Sequence, residues 1–330
     1  IRDSGEGQHG YAKPDGHYMD DLWFYDLNGH RWICCYPGTH SNTRLTINRD
    51  GFEASRDGQL VPVAQQAHGY EMNTYDIHLR RFMSMPNTHS YWRRAIPQRD
   101  EWFAPPPADS SPWLFETTTG HWNRLRTGGD GPNSSYGDTL IYLPRHKKAL
   151  FLHRNENVWL YDTRRNQWEQ IEPQGPAPPF GIDAVSCYDE KQDRVYIGGG
   201  SYPVAPSGTN AFWIYDLKSN AWIDPKPKGV PCNGSNSYPT KNAVMVYDRH
   251  HDVVLLVLHS HFDDTPDRLG VYVYDPETNA WHDDPLPVPD RLGRNRQPKN
   301  GFFDPELAVL FLHSAGDSDD NGTVWVYRYR

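Results

Sequence analysis

The sequence predicts an all-β fold, a β-propeller of six four-stranded antiparallel blades. A seventh blade would follow if one more unit lay outside these residues. Three observations carry the prediction: a hairpin motif that recurs at similar intervals, a strand pair upstream of most copies, and a composition rich in aromatics and turn formers. The chain has 330 residues, 13% of them aromatic, with 27 Gly and 28 Pro. Many short strands separated by frequent turns produce this balance.

The hairpins come first. The segments LWFYDLNGHRW (22–32), PWLFETTTGHW (112–122), VWLYDTRRNQW (158–168), FWIYDLKSNAW (212–222) and VYVYDPETNAW (271–281) share one pattern, and VWVYRYR (324–330) begins a sixth. In the five full copies an aromatic, Tyr25, Phe115, Tyr161, Tyr215 or Tyr274, precedes a Trp by seven residues. Alternating large apolar residues, an acidic residue, a short polar turn and then Trp describe a β-hairpin. A strand pair lies upstream of each hairpin from the second onward: NTYDIHLRRFMSM, LIYLPRHKKALFLH, AVSCYDEKQDRVYIGG, AVMVYDRHHDVVLLVLH and GFFDPELAVLFLH. Each is an apolar strand, a charged turn and a second apolar strand. Pair plus hairpin gives strands a, b, c and d of one blade, so residues 1–330 form a single domain. The first unit lacks strands a and b, and the last lacks strand d. A segment preceding Ile1 is expected to complete the ring, because open strand edges invite aggregation.

The repeat resembles the kelch motif, seen in YIGGG (196–200) followed by FWIYD and NAW, and the resemblance covers nearly the whole chain. Antiparallel strand order places the starts of a strands, the ends of b strands and the b–c loops on one face at the channel mouth, where a rigid scaffold carries function on loops. The kelch glycine pair at the end of strand b persists in IGGG, whereas three other blades place a His there. Two insertions, 36–66 and 86–111, belong to this face. The first contains a small extra hairpin within TRLTINRDGFEASRDGQLVPV. The second, PNTHSYWRRAIPQRDEWFAPPPADSS, is the longest b–c loop, and loops of this length in a compact domain are usually functional or disordered. Its Trp92, Trp102 and Phe103 argue against disorder.

Four polar residues from two neighbouring blades are expected to converge there. His68 and His89 flank strands a and b of one blade, and Tyr136 and Arg154 flank those of the next. His, His, Tyr and Arg without an obvious carboxylate pair suit removal of the C5 proton of a uronate. Arg and His neutralise the sugar carboxylate in the enolate-like transition state, and Tyr or a neutral His takes the proton as O4 leaves. Tyr has an ordinary pKa of about 10, so a cation such as Arg154 has to make it a useful base. Tyr70, Tyr91, Trp92, Arg93 and Arg94 are candidate walls of a sugar-binding groove. The order of the four residues resembles that of the propeller-fold polysaccharide lyases acting on ulvan. The resemblance implies His68 and Tyr136 at the cleaved bond and His89 and Arg154 on the uronate carboxylate. No cofactor is required for the chemistry, although those lyases carry a structural zinc on His and Cys, for which Cys232, His259 and His313 are the candidates.

Two expectations about function follow. One is a polysaccharide lyase acting by β-elimination, secreted or periplasmic, although no targeting segment is visible. The other is a non-catalytic kelch module that binds a glycan or a protein through the same face. A glycoside hydrolase would need two carboxyl groups across a cleft, with Glu71, Asp138 and Asp183 as candidates. The dispersed formal charge of −9 argues against a nucleic-acid partner. No apolar run approaches the roughly 18 residues of a membrane-spanning helix. Four cysteines are too few for a disulfide scaffold.

Overall fold

The computed structural model describes residues 2–3, 21–38, 45–62, 71–86, 110–134, 138–153, 158–178, 184–198, 212–229, 243–260, 268–282, 286–287, 298–314 and 323–330. All regular structure among them is β. The fold class is that of a propeller of antiparallel blades, and the chain divides into two compact units: Ile1–His153 with Asn157–Ile171, and Arg154–Glu156 with Glu172–Arg330.

The first unit opens with a sheet of Arg2–Asp3, Leu22–Asp26 and Arg31–Tyr36, followed by the hairpin Leu45–Ile47 and Glu53–Ser55. Blade 1 is Asn73–Asp76, Arg81–Ser84, Trp113–Glu116 and His121–Asn123. Blade 2 is Thr139–Leu143, Lys148–Leu152, Val158–Asp162 and Gln167–Ile171. In the second unit, blade 3 is Val185–Asp189, Arg194–Gly198, Phe212–Asp216 and Ala221–Ile223. Blade 4 is Val244–Asp248, Val253–Ser260, Arg268–Asp275 and Ala280–Trp281, with Leu286–Pro287 also on its third strand. Blade 5 has Pro298–Asp304, Val309–Ser314 and Thr323–Tyr327.

Among the described residues there are thus five blades with strands a, b and c, rather than the six expected. The N-terminal sheet accounts for the difference. Among the described residues its hairpin meets Arg2 and Asp3, opposite Trp23 and Leu22, where a blade has a full inner pair. The small hairpin expected within 36–66 is present.

Why the motif repeats is visible in the strand register. In all five copies the aromatic and the Trp seven residues later are direct cross-strand partners. Their ring centroids lie 5.1, 5.3, 4.9, 4.9 and 5.2 Å apart in chain order. Such pairs stabilise a sheet by about 0.5–1.5 kcal/mol each beyond the area they bury. The acidic residue ending strand c caps the turn: Asp162 Oδ1 accepts from the Arg164 and Arg165 N–H groups at 3.0 and 2.9 Å. Strand a ends the same way, with Asp189 Oδ1 accepting from Lys191 and Gln192 N–H at 2.8 and 2.9 Å. Strands such as Thr139–Leu143 and Val244–Asp248 are buried at every residue, so they read as continuous apolar runs rather than alternating ones.

A second device joins successive hairpins. Asn166, Asn220 and Asn279 adopt left-handed φ values of 54°, 49° and 50°, which Asn tolerates better than most residues. Each accepts the hydroxyl of the motif tyrosine, from Tyr161 and Tyr215 at 2.6 Å and from Tyr274 at 2.9 Å. Each side-chain amide then donates to a carbonyl of a segment laid across its hairpin: Arg126 at 2.8 Å, Glu172 at 2.9 Å and Pro225 at 2.6 Å. Short parallel bridges, Gly128 with Gln167, Gln174 with Ala221 and Lys228 with Ala280, continue the contact. Gly175 is required there, since its φ is +86° and a Cβ would come 2.9 Å from the Trp222 carbonyl oxygen.

Apolar clusters complete each unit. Met72, Met83 and Met85 of blade 1 pack with Leu140, Phe151, Tyr161 and Trp168 of blade 2. In the second unit Tyr196 and Phe212 meet Tyr274 and Trp281, while Val244, Val257 and Val271 meet Leu310 and Leu312.

Replacing Asn220 by Gly keeps the left-handed turn and removes both side-chain hydrogen bonds. Chemical denaturation should show a loss of about 1–3 kcal/mol, and Asn220→Ala should lose roughly a further 1 kcal/mol from backbone strain. Burial raises the Tyr215 hydroxyl from 10.0 to about 12, and burial likewise raises Tyr274 to about 12, partly opposed by Arg194. The fold therefore holds these protons more tightly than the unfolded chain does. That stability is intact below about pH 10 and is lost as pH rises toward about 12. Circular dichroism should be lost in this window, and Tyr215→Phe should remove tyrosinate absorbance that develops above about pH 10; an absorbance difference confined below about pH 10 would contradict the assignment.

Candidate functional site

The residues named from the sequence mark the ends of four chain segments. His68, Tyr70, His89, Tyr91, Trp92, Arg93, Arg94, Tyr136, Arg154 and Cys232 lie outside the described residues. Their neighbours are described, and in the first unit those neighbours are tied to one another.

Three contacts do this. The Leu140 N–H of blade 2 donates to the carbonyl of Glu71, the first described residue after Tyr70, at 2.9 Å. The buried Ser134 hydroxyl, just before Tyr136, donates to the carbonyl of Pro86, the last described residue before His89. Asp138 and His153 then bracket the remaining two residues: Oδ2 and Nε2 are 4.0 Å apart, with Asp138 fully buried and His153 14% exposed. The pair follows from register, because Thr139 and Leu152 are cross-strand partners and 138 and 153 are the next positions outward. The starts of strand a and ends of strand b in blades 1 and 2 are thus held together by short contacts. Asp138 is one of the carboxyl candidates of the sequence, and the antiparallel pairing is the signal that joins it to His153.

The long b–c insertion is pinned at its other end as well. The Ser110 carbonyl accepts the Trp168 indole N–H at 2.9 Å, and the Ser110 hydroxyl lies 3.3 Å from that of Thr127. Arg124, buried at 3% exposure, donates to the Ser111 carbonyl at 3.0 Å. Its guanidinium lies over the rings of Phe52 and Trp113, at 4.6 and 4.7 Å from their centroids. Arg126 approaches the same Phe52 ring at 5.4 Å and donates to the Asp50 carbonyl at 2.8 Å. Phe52 is thereby held against two cations, each such contact worth about 0.5–2 kcal/mol. This fastens the 45–55 hairpin beside the base of the insertion.

The zinc candidates are less closely defined. His259 lies in strand b of blade 4 opposite Leu269, and its side chain is outside the described set. His313 is 8% exposed on strand b of blade 5, opposite Asn300 and Val324. Among the described residues, no group of three or more His, Cys, Asp or Glu side chains is placed to hold a metal ion. Cys34, Cys35 and Cys187 are free thiols, and burial pushes the Cys187 thiol well up from its ordinary range.

Against this geometry stand the comparisons with known proteins. No family model matches the chain. A stretch of 101 residues is 30% identical to Kelch domain-containing protein 2 of Homo sapiens and of Rattus norvegicus, and 29% identical to that of Bos taurus. The match covers 27% of this chain and 24% of each relative, so the chain aligns with about a quarter of their length. The matched stretch and the architecture agree on a kelch-type propeller.

Ser134→Ala removes the bond to Pro86 and leaves that carbonyl without its hydroxyl donor. A loss of about 1–2 kcal/mol is expected in denaturant unfolding. Exposed Ser219→Ala, at a c–d turn, should cost less.

Proposed function

We propose that this chain is a non-catalytic kelch-type binding module that takes a protein partner on the loops above blades 1 and 2. The observation that carries the reading is the pinning of both ends of the long b–c insertion, by Ser134 on Pro86 and by Trp168 on Ser110. A segment fixed at both ends and supported by a docked hairpin presents its side chains from a preorganised base, which reduces the entropy lost on binding. Its sequence carries Trp92, Trp102, Phe103, Arg93, Arg94 and Arg99. Aromatic residues and Arg are the types that dominate binding energy at protein interfaces. The relatives bear a kelch domain in their names, and kelch propellers commonly bind proteins in this way. The lyase reading depends on His68, His89, Tyr136 and Arg154, which lie outside the described residues, and the comparisons add no support to it.

Two assays separate the readings. A displayed peptide library selected on the full chain should yield binders whose affinity falls at least about tenfold for Trp92→Ala or Arg94→Ala, the size of an interface hot spot. The same preparation incubated with uronate-containing polysaccharides should give no absorbance from an unsaturated product. Product formation that disappears in His89→Ala would overturn the binding reading in favour of β-elimination. Affinity for an immobilised polysaccharide without cleavage would replace the protein partner with a glycan.

A further inference from the structure

The turns of blade 2 break a charge pattern that the other blades keep. In antiparallel order the a–b and c–d turns stand together at one end of a blade, and the b–c loop leaves from the other end. Strand a of blades 1, 3, 4 and 5 ends in Asp76, Asp189, Asp248 or Asp304. Each Oδ1 accepts two N–H groups of the a–b turn at 2.8–3.2 Å. In blade 2 this position is Leu143, and the main chain closes the turn, with the His146 and Lys147 N–H groups on the Leu143 carbonyl at 3.0 and 2.9 Å. An apolar side chain stands where the other blades have a carboxylate. The residues after it are Arg145, His146, Lys147 and Lys148.

The c–d turn beside it adds Arg164 and Arg165, where blade 3 has Lys218 and Ser219 and blade 4 has Glu277 and Thr278. The two turns touch: Lys148 and Asp162 are cross-strand partners, and the buried Thr163 hydroxyl donates to the Lys147 carbonyl at 3.4 Å. Residues 143–148 and 163–166 therefore bring five Lys and Arg together with no Asp or Glu among them, in a chain of formal charge −9. Arg145, Lys147, Arg164 and Arg165 are exposed in the folded chain. Two carboxylates of the blade flank the turns, and both are engaged. Asp162 Oδ1 caps its own turn while its Oδ2 lies 3.9 Å from Arg165 Nε, and Glu169 pairs with Lys148 at 3.2 Å. Like charges crowded on one surface repel, and an anion laid across them relieves that repulsion.

We propose that the a–b and c–d turns of blade 2 bind a short acidic segment of a partner protein, extended across the end of the sheet with its carboxylates on Arg145, Lys147, Arg164 and Arg165. Charge and size select this occupant. Arg forks take carboxylates in a two-point manner, and Arg clusters are a recurring means of reading acidic peptides. Four strands about 4.8 Å apart span about 14 Å, the reach of about four or five extended residues. A nucleic acid or an anionic membrane extends well beyond one blade, and the chain's net charge of −9 repels it there. The chain's own acidic runs, 263–264 and 317–320, fall in b–c connections of the second unit, which belong to the other end of a blade. The site lies at the opposite end of blade 2 from the loop face assigned above and is independent of that reading.

The test titrates the full chain into a rhodamine-labelled hexaglutamate peptide at low ionic strength and follows anisotropy. Saturable binding that weakens steeply with added salt is expected. Arg164→Ala should weaken it about two- to fivefold, and Arg145→Glu combined with Arg164→Glu at least about tenfold. Lys218→Glu, at the exposed c–d turn of blade 3, should leave it within about twofold, because salt screens a distant charge. All these positions are exposed, so the variants are expected to fold, and unchanged circular dichroism spectra confirm that. Absence of saturable binding, or equal losses in Lys218→Glu and in the double variant, would overturn the proposal. So would tighter binding of hexauridylate or of phosphatidylserine vesicles, which would assign the turns to a nucleic acid or to a lipid surface.

Discussion

An asparagine at the left-handed corner of a hairpin can satisfy the backbone and still have a whole amide to spend. Asn166, Asn220 and Asn279 use theirs in one way. The oxygen takes the hydroxyl of the motif tyrosine, and the nitrogen reaches a carbonyl of a segment far away in the chain. This contact constrains three things together. It fixes the turn, orients a tyrosine whose ring packs on Trp, and holds the segment leaving the preceding hairpin in a parallel bridge to the asparagine's own hairpin. A tyrosine hydroxyl buried without a partner would cost about 1–3 kcal/mol. The asparagine removes that cost and gains an interlock between hairpins.

Blade 1 shows that the parts of this device depend on one another. Its motif aromatic is Phe115, which has no hydroxyl, and its corner residue is Gly120, with φ of 73° and nothing near where a Cβ would stand. Hydroxyl and amide are both missing at the one place. Aromatic packing takes over there. Trp122 meets Phe115, Tyr36, Phe82 and Trp113 edge-on at 5.3–6.2 Å, and Phe24 meets Phe115 at 6.4 Å. The Trp122 indole N–H is buried with no hydrogen-bond partner among the described residues. Trp168, by contrast, donates to Ser110. At this hairpin blade 1 is therefore held by apolar contact, while hydrogen bonds such as Tyr142 N–H to the Thr74 hydroxyl join its inner strand to blade 2.

What was legible in the sequence and what was not divide along physical lines. The hairpins, the tyrosine–tryptophan spacing and the upstream strand pairs could be read because register and burial restrict the residue types at each position. The blade count could not, because the first hairpin looks the same whether a full inner pair or, as among the described residues, the short strand Arg2–Asp3 lies beside it. The asparagine contact escaped notice because Asn in a turn is already explained by its backbone, and its carbonyl partner lies 40 to 54 residues away. The candidate site was legible as a list of chain positions. The contacts between the described segments that flank it depend on Ser134 and Ser110, small residues with no period and no distinctive composition to mark them.

The same reasoning connects the site to the scaffold. A loop face is useful for recognition only if the ends of its segments do not move apart when the loops engage a partner. In the first unit the ends are held by groups belonging to the repeat itself. Trp168 is the motif tryptophan of blade 2, and its ring packs on Tyr161 while its N–H fixes Ser110. Tyr161 in turn donates to Asn166, whose amide holds Arg126, and Arg126 donates to the Asp50 carbonyl of the docked hairpin. The residues that build blade 2 therefore also anchor the base of the long insertion and the hairpin beside it. The attachment points at Ser110 and Asp50 and the stability of the blade come from one set of contacts, so a change at Tyr161 or Asn166 reaches those points without touching them.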